Sequence, residues 1–394
     1  MISILNFLQW MVFLFSLIGT IYLLVFAIAG MFYTPAKFTL SGKYRKFAVF
    51  IPGYKEDNVI VDVARKALDQ DYPREFFDVI VIADGFKQET IESLKELPVF
   101  VNEVIFEKSS KAKSLNKTMA DLSGEYEVAL ILDADNIIAH DFVSRMNQAF
   151  NNGFVAIQGH RLAKNSNTHF AVLDALSEEI NNNIFRRGHR MLGLSAALIG
   201  SGMAFDYQLF KSLMGQIESF GEDKELEHKL LKKRIRIEYL DNALVYDEKI
   251  TKSQVFVTQR TRWIANQLNY AVNYLGEGIK ELFHGNIDFF DKIVQHLIPP
   301  RIFMLGFITI IAILSLIINP LNWICAWIIQ WMMCVIALCI SVPRHLYSRK
   351  TFIALFYLPF GFFLMVLSLT RINHARKGFV HTTHIYTDHD NQNH

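Results

Sequence analysis

The sequence predicts an α/β protein: a mostly parallel, helix-covered sheet in the middle of the chain, with transmembrane helices at both ends. Three observations predict it. Between residues 44 and 285 short apolar runs alternate with helix-periodic segments. Long stretches without charge lie outside that region, one before it and three after. The run Ala129-Leu130-Ile131-Leu132 stops abruptly on Asp133-Ala134-Asp135, which puts negative charge at the carboxyl edge of a sheet, where open α/β folds bind ligands.

The first element is the charge-free stretch from about Ile4 to Phe32, longer than the roughly 20 residues a membrane helix needs. It lacks the basic start and small-residue cleavage site of a signal peptide, so residues 1–43 read as a retained anchor. Lys37, Lys43, Arg45 and Lys46 follow it, and nothing basic precedes it. By the positive-inside rule the N-terminus faces outward and the polar middle lies in the cytosol, as expected of a protein in the cell's inner or plasma membrane.

Within the cytosolic part, residues 44–252, the first strand is Phe47-Ala48-Val49-Phe50-Ile51, stopped by Pro52-Gly53, and Asn58 to Leu68 has helical periodicity. Asp78 to Ala83 is a second strand, stopped by Asp84-Gly85, with a helix over Thr90 to Leu97. Val99 to Phe106 is a third strand, Ser114 to Leu122 a helix, and Val128 to Leu132 a fourth strand. Tyr54 and Glu56 follow the first strand, Asp84 the second, and Asp133 and Asp135 the fourth, while Lys111 and Lys113 precede the helix expected at Ser114. Adjacent strand ends share one crevice. There an aromatic ring can stack on a base, carboxylates can accept from base or ribose, and a lysine can meet a phosphate. Oxygen ligands such as Asp133 and Asp135 suit Mg2+ or Mn2+. Neither a Gly-rich dinucleotide fingerprint nor a Walker loop occurs.

The second half of this region offers an acceptor side. Gly200-Ser201-Gly202 breaks the apolar stretch Leu198 to Phe205, and missing side chains let a bulky ligand approach the backbone. Phe220-Gly221-Glu222-Asp223 opens a helix at its acidic, dipole-favoured end. Residues 253–300 read as interfacial amphipathic helices, in which Gln259-Arg260-Thr261-Arg262-Trp263 gathers cations and an indole able to meet pyrophosphate charge and a flat sugar face. Ile287 to Leu297 carries Phe289, Phe290, Ile293 and Leu297 at membrane-surface spacing.

Charge-free runs near Ile302 to Ile318, Leu321 to Val342 and Phe352 to Leu369 make residues 301–370 a second transmembrane region, followed by a polar tail over 371–394. Pro343-Arg344-His345 through Arg349-Lys350 put the loop before the last run inside; strict alternation then sends the tail outside, whereas Arg371, Arg376 and Lys377 argue for inside. One run, preferentially Ile302 to Ile318, is therefore expected to be tilted, re-entrant or interfacial. The three cysteines, Cys325, Cys334 and Cys339, share one hydrophobic segment and form neither a disulfide framework nor a thiolate cluster. A net charge of +2 gives no sign of a nucleic-acid partner. A transporter would carry ionisable residues inside its spans, and these runs carry none.

In this order the motifs Ile51-Pro52-Gly53-Tyr54-Lys55-Glu56, Val81-Ile82-Ala83-Asp84-Gly85, Lys111-Ala112-Lys113-Ser114-Leu115-Asn116, Asp133-Ala134-Asp135, Gly200-Ser201-Gly202, Glu222-Asp223 and Gln259-Arg260-Thr261-Arg262-Trp263 resemble those of family 2 inverting glycosyltransferases, in the membrane-integrated branch with cellulose, chitin, hyaluronan and poly-N-acetylglucosamine synthases. The resemblance implies a GT-A fold, a nucleotide-sugar donor and a metal-dependent hexosyltransferase acting on a glycan or lipid-linked acceptor. It implies that Tyr54, Glu56 and Asp84 hold the nucleoside and that Lys111 lies near the diphosphate. Asp133 would contact ribose or metal-bound phosphate, and Asp135 would ligate the metal. Asp223 matches the general base, while Gly200, Ser201, Gly202, Glu222, Gln259, Arg260, Arg262 and Trp263 match the acceptor and diphosphate side. The departures are Lys55 where the family often has Asn, and Gly221 where Thr is usual. Fewer C-terminal spans than in cellulose synthase suggest an export or accessory subunit. The tail Phe379-Val380-His381-Thr382-Thr383-His384 loosely resembles a gating motif. The alternative within the class is a single transfer to a lipid carrier, as in dolichyl-phosphate mannose synthases.

Overall fold

The computed structural model describes residues 2–39, 41–217, 221–249 and 253–371, so the tail motif at 379–384 lies outside the described residues. Two compact units make up the chain. One consists of Thr34–Asn165 and Ser195–Lys249; the other combines the helices before Thr34 and after Lys249 with the intervening segment Ser166–Leu194.

The first unit is built on an eight-stranded sheet: β1 Phe47–Tyr54, β2 Phe77–Asp84, β3 Phe100–Val104, β4 Val128–Ile131, β5 Ile137–Ile138, β6 Ala156–Ala163, β7 Met203–Asp206 and β8 Glu238–Asp247. Their order across the sheet is β3-β2-β1-β4-β7-β6-β8-β5. The strands β3, β2, β1 and β4 are parallel, as expected, whereas β7 runs antiparallel to both β4 and β6, and β5 antiparallel to β8. The sheet is therefore mixed. The reason lies in the connections: helices cross over between the early strands, and each crossover returns the chain parallel. β1, β2 and β4 are buried on both faces, with Phe47, Val49, Ile51, Val79, Val81 and Leu130 forming the core with Phe142 and Met146 from the helix Phe142–Asn151.

The register explains where the crevice opens. β1 pairs with β2 along its whole length, from Phe47↔Phe77 to Tyr54↔Asp84, but with β4 only from Phe47 to Phe50. Beyond Phe50 the strand has one strand partner, which is where Pro52, lacking an N–H, is tolerated. The carboxyl ends of β1 and β4 part there, at the point where the chain reverses its order of winding across the sheet.

In the second unit the helices Asn6–Met31, Arg301–Ile318 and Leu321–Ile340 are each long and apolar enough to cross a membrane. The 302–318 run is one uninterrupted helix, whereas the last run is broken between Arg349–Leu355 and Leu358–Thr370, which meet at 49°. Pro359 in the first turn of the latter helix has no N–H to continue the preceding one. The segment Ser166–Leu194 contains the helix His169–Asn181 and a π-helical stretch Asn182–Gly188. That stretch meets the first helix at contact distance: a Cβ at Gly188 would collide with the Phe26 carbonyl, and one at Gly30 with the Asn183 side chain. Asn183 donates to the Ala27 carbonyl and to Ser341 Oγ, both at 3.1 Å. His189, fully buried, lies 3.1 Å from Asp291, which also accepts from Tyr22 Oη at 2.7 Å.

Candidate active site

Tyr54 and Asp84 end neighbouring strands in register, so both stand at the crevice mouth. Lys55 follows with φ +56°, a left-handed conformation that Asn adopts more readily than Lys. Its amide is fixed by the Asp84 carbonyl at 3.0 Å, and its Nζ lies 5.2 Å from the Tyr54 ring centroid. Gly53 has no side chain where Phe86 approaches; a Cβ there would stand 2.6 Å from Phe86 Cζ. Glu56 is buried, and its carbonyl receives the Ile60 N–H that opens the next helix. Asp84 is 4% exposed, and its Oδ2 has no hydrogen-bond donor among the described residues. Burial pushes its pKa up, opposed by a hydrogen bond from Ser109 and the charge of Lys55. A carboxylate so placed is completed by a ligand N–H or O–H.

Lys111 and Lys113 lie in the first turn of a helix, Lys111–Asp121, and not in a loop ahead of it. Ser110 caps this helix by accepting from the Lys113 N–H, so it starts three residues before Ser114 despite two cations that oppose its dipole. Lys113 turns back onto the Lys108 carbonyl. Lys111 is the hub of the site: its Nζ donates to Asp133 Oδ1 at 2.5 Å and the Gly200 carbonyl at 2.7 Å, and lies 3.7 Å from Glu222 Oε1. Burial draws its pKa down, but Asp133 and Glu222 outweigh that and hold it above the ordinary lysine value. Asp223 belongs to the same cluster; a Cβ on Gly200 would stand 3.8 Å from both Asp223 Oδ2 and Lys111 Nζ. The Glu222 carboxyl is pushed up to about 7, first by burial and then by Asp223, against the pull of Lys111. Gly221 caps the helix Glu222–Lys232 without a side-chain bond. Glu227 anchors that helix instead, accepting from the Leu198 N–H at 2.9 Å.

Gly200 and Gly202 have φ of +84° and +61°, and between them Ser201 is fully buried. Ser201 Oγ accepts from the Asp133 N–H at 2.9 Å and donates to Asn136 Oδ1 at 2.5 Å. Asn136 Nδ2 donates in turn to Asp135 Oδ1 at 3.0 Å and Asp247 Oδ1 at 3.1 Å. Gln158 Nε2 holds the Ser201 carbonyl at 2.9 Å. Asn136, Gln158 and Asp247 did not emerge from the sequence; an Asn directly after the two acids is the only local signal among them.

The expected site residues thus divide between the units. Tyr54, Glu56, Asp84, Lys111, Asp133, Asp135, Gly200, Ser201, Gly202, Glu222 and Asp223 belong to the sheet unit. Gln259, Arg260, Arg262 and Trp263 lie on the helix Ser253–Phe283 of the other unit. There Arg260 pairs with Asp174 at 2.5 Å and stacks between Phe256 and Trp263, its guanidinium carbon 5.0 and 4.2 Å from their ring centroids. Trp263 remains 39% exposed, enough to offer a ring to a ligand.

The sheet-unit cluster fits a divalent cation. Its donors are hard carboxylate oxygens, and Asp133, Glu222 and Asp223 act on Lys111 together, more negative charge than one ammonium offsets. No group of three or more His, Cys, Asp or Glu among the described residues is arranged to hold a metal by itself. Binding through one or two carboxylates and substrate phosphates is the usual mode for Mg2+.

Residues 45–266 match the family described as glycosyltransferase like family 2. An N-acetylglucosaminyltransferase of Rhizobium meliloti (strain 1021) is 27% identical over 232 residues, 55% of this chain and 54% of that protein. A beta-monoglucosyldiacylglycerol synthase of Trichormus variabilis is 24% identical over 232 residues, 57% of this chain and 49% of that protein. The chain therefore spans about half the length of the curated relatives it matches. Among solved structures, the mannosyltransferase PcManGT from Pyrobaculum calidifontis, in complex with GDP-Man and Mn2+, superposes with a TM-score of 0.51 at 14% identity, over 82% of this chain and 96% of that one. The likeness extends to the fold.

Proposed function

The chain belongs to glycosyltransferase-like family 2, and from that premise we propose that it is a membrane-embedded, inverting hexosyltransferase that moves a sugar from a UDP-linked donor to a growing β-linked polysaccharide. The observation that carries this reading is the convergence of Lys111, Asp133, Glu222 and Asp223 around Gly200. Transfer needs a base for the acceptor hydroxyl and a counter-charge for the departing diphosphate. Asp223 takes the hydroxyl proton as the oxygen attacks the anomeric carbon, and the bond from that carbon to the diphosphate oxygen breaks. One displacement inverts the centre, so an α-linked donor yields a β-linked product. Lys111 meets the diphosphate charge, while Tyr54, Glu56 and Asp84 hold the nucleoside, with the orphan Asp84 Oδ2 accepting from the base.

Asp135, with Asp133, would hold Mg2+ or Mn2+, and such an ion supplies further neutralisation of diphosphate charge when bound. The complex of PcManGT with GDP-Man and Mn2+ supports this reading of the cation. Gln259, Arg260, Arg262 and the exposed Trp263 serve the acceptor and diphosphate side in this scheme. The basic residues after the first helix favour a cytosolic catalytic unit.

A second reading, transfer of one sugar to a lipid acceptor, draws on the relative described as a beta-monoglucosyldiacylglycerol synthase. One experiment tests both. The full-length protein, reconstituted in lipid, is incubated with radiolabelled UDP- and GDP-sugars, and products are sized after extraction. Water-soluble chains from a UDP-sugar are expected; a single sugar on extracted lipid replaces the polymer reading with the second, and no transfer from any donor overturns both.

A further inference from the structure

We propose that Asn136 is a positioning residue for Asp135: its side-chain amide, oriented by Ser201, holds the Asp135 carboxylate in the setting in which that acid takes a divalent cation. This rests on the reading above that Asp135 is a cation ligand. The amide's orientation follows from hydrogen-bond arithmetic. Carboxylate oxygens only accept, so the amide edge facing Asp135 Oδ1 and Asp247 Oδ1 is Nδ2, which leaves Oδ1 to take the Ser201 Oγ–H while that hydroxyl oxygen accepts from the Asp133 N–H. The Asn136 oxygen therefore faces Ser201, and both hydrogens of Nδ2 face carboxylates, Asp135 Oδ1 at 3.0 Å and Asp247 Oδ1 at 3.1 Å.

Asn136 is 1% exposed and Ser201 fully buried, so bulk water has little access to the amide. Ser201 is itself fixed from the other side: Gln158 Nε2 donates to its carbonyl, and Gln158 Oε1 accepts from the neighbouring Ile199 N–H. Asp247 is tied to Lys249 Nζ at 2.7 Å. The amide is thus braced on two sides by the fold and applies its remaining bond to Asp135. Only an amide offers an acceptor on one edge and two donors on the other. A leucine would strip Asp135 of this donor, and an aspartate would set a third carboxylate between Asp135 and Asp247. Hydrogen bonds to ligating carboxylates tune metal sites, and their loss commonly costs roughly 10–100-fold in metal affinity.

The test uses full-length protein in nanodiscs. Mn2+ binding is titrated by electron paramagnetic resonance with UDP present, UDP affinity is measured calorimetrically in EDTA, and the apparent Tm is recorded. Asn136→Asp is expected to weaken Mn2+ binding about tenfold or more, with UDP affinity in EDTA close to wild type. Asp247→Asn, which disturbs the same amide from the side of the fold, should lower the Tm while changing Mn2+ affinity less than about threefold. Ser201→Ala, the milder variant, should weaken Mn2+ binding a few-fold. Mn2+ affinity of Asn136→Asp within twofold of wild type, or an equal loss in Asp247→Asn, overturns the positioning role alone. A wild type that binds no Mn2+ with UDP overturns the cation reading and this inference with it.

Discussion

Replacing Glu222 by Gln should stabilise the protein at high pH and not at low pH. Glu222 is a carboxyl whose proton affinity in the folded chain is raised, from an ordinary 4.5 to about 7. Below 4.5 both folded and unfolded chains carry the proton, and burial costs nothing electrostatic. Between 4.5 and about 7 the folded chain keeps a proton that the unfolded chain has released, so stability declines as pH rises through that window and then levels off. The rise corresponds to about 3 kcal/mol at ~1.4 kcal/mol per tenfold change in proton affinity. The pull of Lys111, 3.7 Å away, is already contained in that value; Gln keeps the shape of the neutral acid but matches its hydrogen bonding only in part, so a gain of about 1–2 kcal/mol is expected at pH 8. For a domain of this size that is a rise of roughly 2–8 °C in Tm. The assay is thermal unfolding of wild type and Glu222→Gln in EDTA across pH 4 to 9, with the difference plotted against pH. A difference that is flat with pH, or a variant less stable than wild type at pH 8, refutes the reasoning.

Other perturbations separate the parts of the site. Asp223→Asn should nearly abolish transfer while leaving UDP-sugar affinity within a few-fold, since the amide keeps shape but cannot take the proton; single-turnover kinetics and calorimetry check the two halves. Trp263→Ala should lose roughly 1–3 kcal/mol of acceptor binding, shortening the product on a sizing gel while hydrolysis of the donor by water continues. Gly202→Ala sets a Cβ 2.6 Å from Val245 Cγ1 at a φ of +61°, so it should cost about 2–4 kcal/mol by chemical denaturation and reduce UDP affinity through displacement of Ser201.

What the sequence disclosed and what it hid follow from the range of the interactions involved. Tyr54, Asp84, Asp133 and Asp135 were legible because each closes a short apolar run, and strand ends of a parallel sheet converge by topology alone. The start of the helix at Lys111 was not, because Lys111 and Lys113 work against the dipole and only the Ser110 cap and the tertiary fold override that. Asn136 could not be linked to Asp247, since 111 residues separate them and neither is unusual in its local context. The antiparallel placement of β7 hangs on register with β4 and β6, which no local pattern encodes. The segment Ser166–Leu194 escaped notice as a companion of the apolar helices because its own helices carry Asp174, Glu178, Glu179 and Arg186, which mask it from hydropathy. Those charges are internal to its unit: Arg186 meets Glu178 at 3.2 Å, and Asp174 meets Arg260.

That segment also dictates an order of events during synthesis. The ribosome delivers the first apolar helix, then β1 to β6, then Ser166–Leu194, and only afterwards β7 and β8. When Asn183 emerges, its Ala27 partner has long been made, whereas Ser341 is still more than 150 residues from being translated. Gly188 can therefore settle against Phe26 early, while Asp291, the counter-charge of His189, arrives late. The nascent sheet is left open between β4 and β6 until β7 inserts itself. A fragment of residues 34–249 would carry all eight strands, yet its Ser166–Leu194 segment would lack Phe26, Ala27, Asp291 and Ser341, the partners that the rest of its own unit supplies.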